Sequence, residues 1–353
     1  MTHPFREYRV TRKVVESSII TSFLLRAEDG TPPRFWPGEY LLFELLDDGA
    51  DGVVIQREYS ISGVVDGAMR VTIKREPAAQ GHPPGRGSAH FHDRIEVGSR
   101  VRAAGPFGQF RLDRKSHRHA VLLSGGVGLT PLVAMAHDLA GAGKPFTFIH
   151  ACEDGAVHAM GAEIRALARG CPGMTTHFCY RKPRPEDVPL RDYDSIGFLS
   201  AGTLQNLLPL PDCDIYMCGP KPFMQALYDI LIALGVANSR IRYEFFGPAS
   251  LLGAGTGAQT LPQLEQAPGA PIVRFARSGL SGAWDDTAPN LLEFAEDCGL
   301  SPDFSCRAGT CESCKVRVLS GAVRYVFQPF RKPGPDEVLV CCSVPTQDLT
   351  LDL

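Results

Sequence analysis

The chain has 353 residues, of which 44% are hydrophobic and 21% charged, and its formal net charge is −3. This length predicts two or three domains with sizeable cores, and the near-neutral charge gives no reason to expect general nucleic-acid binding. We find no apolar leader and no run of about eighteen apolar residues, so we expect neither an export signal nor a membrane span. Eleven cysteines without an export signal then predict reduced thiols in the cytoplasm.

Residues 1–113 carry the pattern of an antiparallel β-barrel. Short alternating apolar runs are separated by turn residues such as Pro37-Gly38 and Asp66-Gly67, a pattern typical of hairpin-connected strands and not of helices. Closing these strands into a barrel leaves no unpaired edge. We expect strands at residues 10–15, 18–26, 40–46, 69–74 and 100–104.

Two stretches of this barrel have the chemistry to bind a phosphate-bearing ligand. In Arg57-Glu58-Tyr59-Ser60, an extended strand would place Arg57 and Tyr59 on one face, with a guanidinium for phosphate beside a flat ring. Gly85-Arg86-Gly87-Ser88 is expected to form a loop that offers N–H groups and a hydroxyl to phosphate. Taken alone, the first stretch is better explained as an ordinary half-buried strand.

Residues 114–249 change to a repeating order of strand, loop and helix. An apolar run at residues 120–123 is followed by Gly125-Gly126-Val127-Gly128-Leu129-Thr130-Pro131 and a helix expected over residues 132–140. Glycines let the backbone approach a pyrophosphate, and the N-terminus of a helix attracts its charge. A structural turn explains this loop about equally well if no other motif is considered.

The same alternation continues and predicts a doubly wound parallel sheet. Strands are expected at residues 146–150, 175–180 and 214–217, and helices at residues 162–168 and 222–234. Ligands bind such sheets at the carboxyl ends of strands, which is where Met217-Cys218-Gly219-Pro220 lies. Cys218 is then either a core thiol or a contact to a nucleotide.

Residues 250–270 are rich in Gly, Ala, Pro and Gln and predict a flexible linker. Residues 271–353 form a last compact domain, with a short helix expected over residues 290–298. Within it Cys306, Cys311 and Cys314 stand at C-x4-C-x2-C spacing, and a fourth cysteine is available at Cys341 or Cys342. This is the plant-type [2Fe–2S] pattern. A zinc site would need a second ligand pair, and a disulfide framework belongs to short secreted chains.

Several of these motifs resemble the ferredoxin–NADP reductase superfamily. Arg57-Glu58-Tyr59-Ser60 resembles its R-x-Y-S flavin motif, and residues 35–40, which end at Tyr40, resemble the P-G-Q-Y segment before it. Residues 125–131 and Cys218-Gly219-Pro220 resemble its two nicotinamide-nucleotide motifs. The flavin contacts that this resemblance implies are Arg57, Gly87 and Ser88 on the pyrophosphate, Tyr59 against the ring, Ser60 near flavin N5, and Tyr40 in the same site.

The resemblance also implies the residues around the nicotinamide. Thr130 and Cys218 would flank it, with Gly126, Gly128, Gly219 and Pro220 supplying the backbone. Residues 150–159 and 243–248 are similar to the reductase half of flavohaemoglobins, which implies that Phe246 covers the flavin ring and that Glu244 lies nearby. The last domain resembles a plant-type ferredoxin with a β-grasp-like α+β fold, whose final ligand stands four residues before a proline. Pro345 therefore favours Cys341 over Cys342.

The whole chain resembles reductases of multicomponent oxygenases that carry a C-terminal ferredoxin domain. This implies hydride transfer from NAD(P)H to FAD, or alternatively FMN, and single-electron transfer through the cluster to a partner oxygenase, such as a Rieske type. Glu153 and Asp154 follow a strand, where acidic groups accept from a ribose hydroxyl and repel a 2′-phosphate, and so favour NADH. Arg181, Lys182 and Arg184 favour NADPH instead. A non-enzymatic iron–sulfur carrier or redox sensor, and a reductase for a non-oxygenase acceptor, are the alternatives.

Overall fold

The computed structural model describes residues 5–46, 54–76, 86–244, 246, 270–285, 288–300, 302, 304, 309, 312, 314–326, 328–329 and 332–353. These residues fall into two compact units that divide after residue 253. The first unit holds a β-barrel and a parallel-sheet lobe, and the second is a small α+β domain. Among the described helices, none has both the length and the apolar character needed to cross a membrane.

The barrel lobe is a closed six-stranded antiparallel barrel, which confirms the predicted architecture. Its strands are β1 (Arg6–Val15), β2 (Ile20–Ala27), β3 (Tyr40–Leu46), β4 (Val54–Val65), β5 (Ala68–Lys74) and β6 (Arg100–Phe107). They follow the order β1-β2-β5-β4-β3-β6, and β6 pairs with β1 to close the barrel. Fully buried side chains such as Phe23, Phe43 and Val71 fill the interior. The alternation of apolar residues that predicted strands is therefore the alternation between interior and surface.

One helix of the barrel lobe was not expected. Residues 86–88, predicted to lie in a loop, form the first turn of α1 (Arg86–Arg94), and Gly85 lies outside the described residues. Glycine disfavours a helix interior, but Phe91 is fully buried, with its ring centroid 5.2 Å from Phe23. The Lys13 ammonium donates to two carbonyl oxygens at the C-terminal end, at 3.1 and 2.9 Å. Tertiary contacts therefore stabilise a helix that local propensity does not predict.

The second lobe is a six-stranded parallel sheet with helices between its strands, as predicted. The strands follow the order β10-β9-β8-β7-β11-β12, and buried clusters cover both faces. The strand order reverses at β7, which places the ligand-binding crevice of such a sheet beyond the carboxyl ends of β7 and β11. The elements are β7 (His119–Gly125), α2 (Leu129–Gly141), β8 (Phe146–Cys152), α3 (Gly161–Gly170), β9 (Met174–Tyr180), β10 (Ser195–Ile196), α4 (Ala201–Leu207), β11 (Cys213–Cys218), α5 (Lys221–Ala233) and β12 (Ile241–Glu244).

Helix α2 begins one turn earlier than the sequence predicts. It starts at Leu129 after the N-cap residue Gly128, so that Pro131 is its third residue. The first N–H groups of a helix have no intrahelical acceptor, and a proline there sacrifices no hydrogen bond. Pro131 therefore lies within the first turn of the helix, although the start was expected at residue 132.

The two lobes of the first unit share a core. Ile20, Phe110 and Leu112 from the barrel side belong to the same buried cluster as Leu132 and Met135 of α2. Helix α2 also packs directly against β4, the strand that carries the R-x-Y-S motif. The element that begins at the glycine-rich loop is therefore in contact with the strand of the flavin motif.

The described part of the second unit has the predicted β-grasp-like arrangement of one α-helix and a mixed sheet. Its elements are β13 (Ile272–Phe275), β14 (Leu280–Ala283), α6 (Leu291–Asp297), β15 (Lys315–Ser320), β16 (Val323–Tyr325), β17 (Glu337–Leu339), β18 (Ser343–Pro345) and β19 (Leu349–Leu351). Five strands follow the order β14-β13-β19-β15-β17, with β13 and β19 parallel, and β16 pairs with β18. Asn290 caps α6 by accepting from the N–H of Glu293 at 3.0 Å, which matches the predicted helix.

Candidate functional site

The R-x-Y-S motif lies in the middle of β4, where Arg57 pairs with Phe43 and Ser60 with Tyr40 across to β3. Arg57 and Tyr59 both approach the same residue of α1, Gly87. The two side chains therefore share one side of the strand, as predicted. A Cβ on Gly87 would lie 2.5 Å from Arg57 Cγ and 3.1 Å from the Tyr59 hydroxyl oxygen. Only glycine fits here without displacing its neighbours, so α1 is held directly over the motif.

The first turn of α1 therefore meets the strand that supplies the arginine. Exposed N–H groups at a helix N-terminus favour phosphate. The aliphatic part of Arg57 lies beside Gly87, and its guanidinium donates to the carbonyl oxygen of Gln56 at 2.7 Å. Ser88 is buried, and its Oγ accepts a hydrogen bond from the N–H of Glu76 at 3.1 Å. These donors and this close packing fit a flavin pyrophosphate, and the chemistry that a bound flavin would supply is acceptance of a hydride.

The ring of Tyr59 is held by other aromatic rings. Its centroid lies 5.1 Å from Phe91 in an edge-to-face contact and 5.8 Å from Phe43. Burial raises the pKa of the Tyr59 phenol, so the hydroxyl keeps its proton. Phe91 was missed by the sequence analysis, and the only signal for it was an aromatic residue four positions after Gly87, which is one helical turn.

Tyr40 and Ser60 are directly opposite each other on β3 and β4, and both are buried. The Tyr40 ring centroid lies 6.1 Å from Phe107 on β6. A Cβ on Gly108 would lie 3.3 Å from the Tyr40 ring. The structure thus brings Tyr40, Ser60 and the Arg57–Tyr59 pair to neighbouring positions on two adjacent strands.

The two predicted nicotinamide motifs are in contact. Cys218 pairs with Ser124 where β11 runs beside β7, so both motifs follow the carboxyl ends of adjacent strands. A Cβ on Gly128 would lie 2.2 Å from the carbonyl oxygen of Cys218, and a Cβ on Gly219 would lie 3.0 Å from the backbone nitrogen of Gly125. These glycines allow two backbone turns to meet at the point where the strand order reverses.

Thr130 lies in the first turn of α2 and is 2% exposed. Its hydroxyl donates to the carbonyl oxygen of Val127 at 3.2 Å, which ties the glycine-rich turn to the helix. Gly126 has a φ of +54°, a left-handed conformation that side chains disfavour.

Glu244, at the end of β12, is the register partner of Cys218. Its Oε2 atom is inaccessible to solvent and has no hydrogen-bond partner within the described part of the chain. Burial raises the pKa of Glu244 to about 8. Burial, followed by the neighbouring Glu244 carboxyl, raises the pKa of the Cys218 thiol well above its usual value. Both shifts favour the protonated forms of these groups at neutral pH. Phe246, the last described residue of the first unit and the residue expected to cover the flavin, is 44% exposed.

The acidic and basic residues that gave opposite predictions of nucleotide preference pair with each other. Arg181 forms an ion pair with Glu153 at 3.4 Å. Arg184 bonds to Asp187 at 3.1 Å and lies 3.9 Å from Asp154. Arg181 and Arg184, two of the three basic residues that favour NADPH, therefore already form ion pairs with carboxylates.

In the second unit, the described candidate ligands are Cys314 and Cys341, each 1% exposed. The N–H of Val340 donates to the carbonyl oxygen of Cys314 at 3.2 Å, so the two segments meet. The Cys342 thiol donates to the carbonyl oxygen of Leu339 at 3.5 Å. Two buried thiols on adjoining segments fit a [2Fe–2S] cluster, which would supply one-electron transfer. Cys306 and Cys311 lie outside the described residues.

Comparison with known families agrees with this arrangement. Residues 122–229 match the family "Oxidoreductase NAD-binding domain". Residues 281–346 match the "2Fe-2S iron-sulfur cluster binding domain". The first match covers the glycine-rich turn and the Cys218 turn, and the second covers all four predicted cluster ligands.

Individual proteins give longer matches. The flavohemoprotein of Chromobacterium violaceum is 41% identical over 246 residues, which are 69% of this chain and 61% of that protein. The flavohem-like FAD/NAD binding domain of nitric oxide dioxygenase from Vibrio cholerae O1 biovar El Tor is 35% identical, with a TM-score of 0.61, over 69% of this chain and 99% of that domain. The structure of phthalate dioxygenase reductase has a TM-score of 0.57 at 24% identity and covers 99% of this chain and 98% of that one.

Fold, site and family matches together define an NAD(P)H-dependent flavin oxidoreductase with an iron–sulfur domain. The chain belongs to the ferredoxin–NADP reductase superfamily, with a 2Fe–2S ferredoxin domain as its second unit. Its likeness to phthalate dioxygenase reductase is a likeness of fold. The chain spans 61% of the length of the Chromobacterium violaceum flavohemoprotein.

Proposed function

We propose that the chain takes a hydride from NADH onto FAD and passes the electrons one at a time through its [2Fe–2S] cluster to a partner oxygenase. The observation that carries this proposal is the combination of centres in one polypeptide. The R-x-Y-S strand packed against α1 and the two adjoining glycine-containing turns share the first unit, and a 2Fe–2S domain follows. A nicotinamide gives two electrons at once whereas a cluster accepts one, so a flavin is needed between them.

The proposed roles follow the geometry of the barrel lobe. Arg57, Gly87 and Ser88 hold the flavin pyrophosphate where α1 begins beside β4. Tyr59 lines the flavin ring with its orientation fixed by Phe91. Tyr40 and Ser60 belong to the same site, with Ser60 nearest the reacting edge of the flavin. These residues bind and orient, and hydride transfer itself requires no acid or base from the protein.

The nicotinamide is proposed to enter over the two glycine-containing turns. Gly126, Gly128 and Thr130 form one side of this crevice, and Cys218, Gly219 and Pro220 form the other. The protonated carboxyl of Glu244 is supported as a hydrogen-bond donor by its burial and raised pKa. Phe246, exposed at the end of the unit's described residues, is proposed to cover the flavin until the nicotinamide displaces it.

NADH is the preferred donor in this proposal. A 2′-phosphate would need a basic pocket, but Arg181 and Arg184 are engaged by carboxylates. Binding a 2′-phosphate there would break these pairs and bring it close to Glu153 and Asp154, whose charges repel it. A ribose hydroxyl has no charge to be repelled and can donate to an acidic side chain.

The proposed cluster ligands are Cys306, Cys311, Cys314 and Cys341. Cys341 is proposed rather than Cys342 because it stands four residues before Pro345, the spacing of the last ligand in the plant-type ferredoxins that this segment resembles. A partner oxygenase as acceptor is supported by the full-length likeness of fold to phthalate dioxygenase reductase. A cytoplasmic location is supported by the described cysteines, none of which takes part in a disulfide.

Two acceptors that differ in where they take electrons test this function. Ferricyanide accepts directly from reduced flavin, whereas cytochrome c reduction is expected to need the cluster. The wild-type protein should reduce both with NADH, and Cys314→Ser should keep the first activity and lose most of the second. Loss of neither activity in this variant would mean that the cluster lies outside the electron path. No NADH oxidation by the wild type would contradict the proposed function as a whole.

A further inference from the structure

A partly buried ion pair joins the two lobes of the first unit. Arg70 on β5 of the barrel has a side chain that is only 6% exposed. Its two terminal nitrogens bond to the two carboxylate oxygens of Glu163 on α3, at 2.7 and 2.8 Å. This two-pronged geometry fixes orientation as well as distance, which a single surface ion pair does not.

On the barrel side, Arg70 is held by the strand of the flavin motif. Its Nε donates to the Ser62 hydroxyl at 3.2 Å, and its Nη2 donates to the Ser62 carbonyl oxygen at 3.0 Å. Ser62 lies on β4 two residues beyond Ser60. The Ser62 hydroxyl is in turn 2.8 Å from that of Thr72, which anchors it within the barrel. The guanidinium is therefore rigidly attached to the backbone next to the flavin motif.

On the other side, Glu163 is bonded to the helix of the nucleotide motif. Its Oε1 lies 2.6 Å from Nε2 of His137 on α2. His137 follows Thr130 by seven residues, close to two helical turns, so both lie on the same side of α2. One carboxylate thus links the barrel, through Arg70, with two helices of the nucleotide lobe.

Replacing the hydrogen bonds of Glu163 to Arg70 and His137 with bonds to water would cost free energy. Burial raises the pKa of Glu163, but the hydrogen bonds from Arg70 and His137 outweigh burial and lower that pKa to about 2. The carboxylate is therefore charged, and removing one partner leaves an uncompensated charge in a largely buried position. The network is complete only when the two lobes keep this one arrangement.

We propose that Arg70 and Glu163 are positioning residues that fix the separation between the flavin on β4 and the nicotinamide at the start of α2. The inference rests on the proposed function, since it assigns these residues to the hydride-transfer step. Transfer between two bound groups is steep in distance, and a displacement of about 1 Å can slow it by roughly 100-fold. Arg70 and Glu163 lie 93 positions apart in sequence, so no short motif contains the pair.

The test uses the full-length holoprotein with Arg70→Met and Glu163→Gln. We expect the limiting rate of flavin reduction at saturating NADH to fall roughly 10- to 100-fold in stopped-flow measurements. Flavin content and photoreduction without NADH should be unchanged, and 4-deuterated NADH should still give a primary isotope effect. Hydrogen exchange in the absence of nucleotide should become faster in residues 60–62 and 129–141 together, a readout that does not depend on turnover.

The chain offers a matched control on the same helix. Arg165 on α3 pairs with Asp194 at 2.7 Å, and both residues belong to the nucleotide lobe. Arg165→Met removes a half-buried ion pair without touching the link between lobes. It should lower the melting temperature while leaving the limiting hydride-transfer rate and the exchange of residues 60–62 as in the wild type.

The double variant Arg70→Met/Glu163→Gln should be no slower than the slower single variant, because both act on one interaction. The proposal is overturned if both single variants lose stability as Arg165→Met does but keep the wild-type hydride-transfer rate. If Arg70→Met does not fold, Glu163→Gln tests the proposal alone by the same criteria, because it keeps the size of the side chain. Failure of the proposed function would give a different result, because NADH would then not reduce the flavin of the wild-type protein at all.

Discussion

Gly128 and Cys218 are in backbone contact, although 90 positions separate them in the sequence. A Cβ on Gly128 would lie 2.2 Å from the carbonyl oxygen of Cys218 and 2.4 Å from its carbonyl carbon. Backbone atoms cannot rotate away as a side chain can, so the glycine is required by packing. The two turns therefore form one continuous surface at the carboxyl ends of β7 and β11.

Gly128→Ala should separate these turns. We expect a loss of about 1–3 kcal/mol in unfolding free energy from overpacking, together with weaker NADH binding and slower flavin reduction. Gly170→Ala is the control, since a Cβ at the end of α3 would have nothing within 4 Å. The measurement is flavin reduction against NADH concentration in both variants. If the two variants reduce the flavin with the same dependence on NADH concentration, the contact between the two turns does not affect NADH binding.

Gly87→Ala should weaken flavin binding and leave the iron–sulfur domain intact. Its new Cβ would lie 2.5 Å from Arg57 Cγ, so α1 or the arginine must move. We expect about a tenfold rise in the flavin dissociation constant, equivalent to roughly 1.4 kcal/mol. Gly141→Ala, whose Cβ meets nothing within 4 Å, is the matched control. Flavin released on dilution is measured by fluorescence, and retention equal to the control would argue against a pyrophosphate at α1.

The two adjacent cysteines of the second unit should differ in their effect on the cluster. Cys341→Ser should abolish the low-temperature electron paramagnetic resonance signal of the reduced cluster and most of the bound iron. Cys342→Ser should keep both, because its thiol donates to the Leu339 carbonyl, a bond that a hydroxyl can also make. The reverse pattern would assign the fourth ligand to Cys342.

The pKa of Glu163 predicts an acid-dependent part of stability. Its pKa is lowered from 4.5 to about 2, so the folded state keeps the carboxylate charged where the unfolded chain binds a proton. The resulting stabilisation is complete above pH 4.5 and is lost as pH falls from 4.5 towards 2, with an upper bound of about 3 kcal/mol. Chemical unfolding of wild type and Glu163→Gln, compared between about pH 6 and pH 3.5, should give curves that converge on acidification. Parallel curves would contradict the lowered pKa.

Much of this fold follows from short-range patterns in the sequence. The alternation around Tyr40 and Met69 predicted strands that line the barrel interior, and the apolar run at residues 120–123 predicted the buried strand β7. Asn290 marked the start of α6 because its side chain caps the helix. These signals act within a few residues, so they are visible without knowledge of the fold.

The features that were missed depend on contacts between distant residues. Helix α1 contains a glycine in its first turn and is stabilised by the burial of Phe91, which only the closed barrel provides. The Arg70–Glu163 pair depends on how the two lobes pack. The opposing predictions from Glu153 and Arg181 were unresolved because the sequence does not show that these residues pair with each other.

The most direct test of the proposed electron path is an anaerobic titration of the purified holoprotein with NADH, followed by visible spectroscopy. The account predicts that flavin and iron–sulfur bands bleach together and that the chain takes up about three electrons, two on the flavin and one on the cluster. NADPH should reduce the protein less effectively than NADH. Bleaching of the flavin alone, with an uptake of about two electrons and no cluster signal, would contradict the proposed relay.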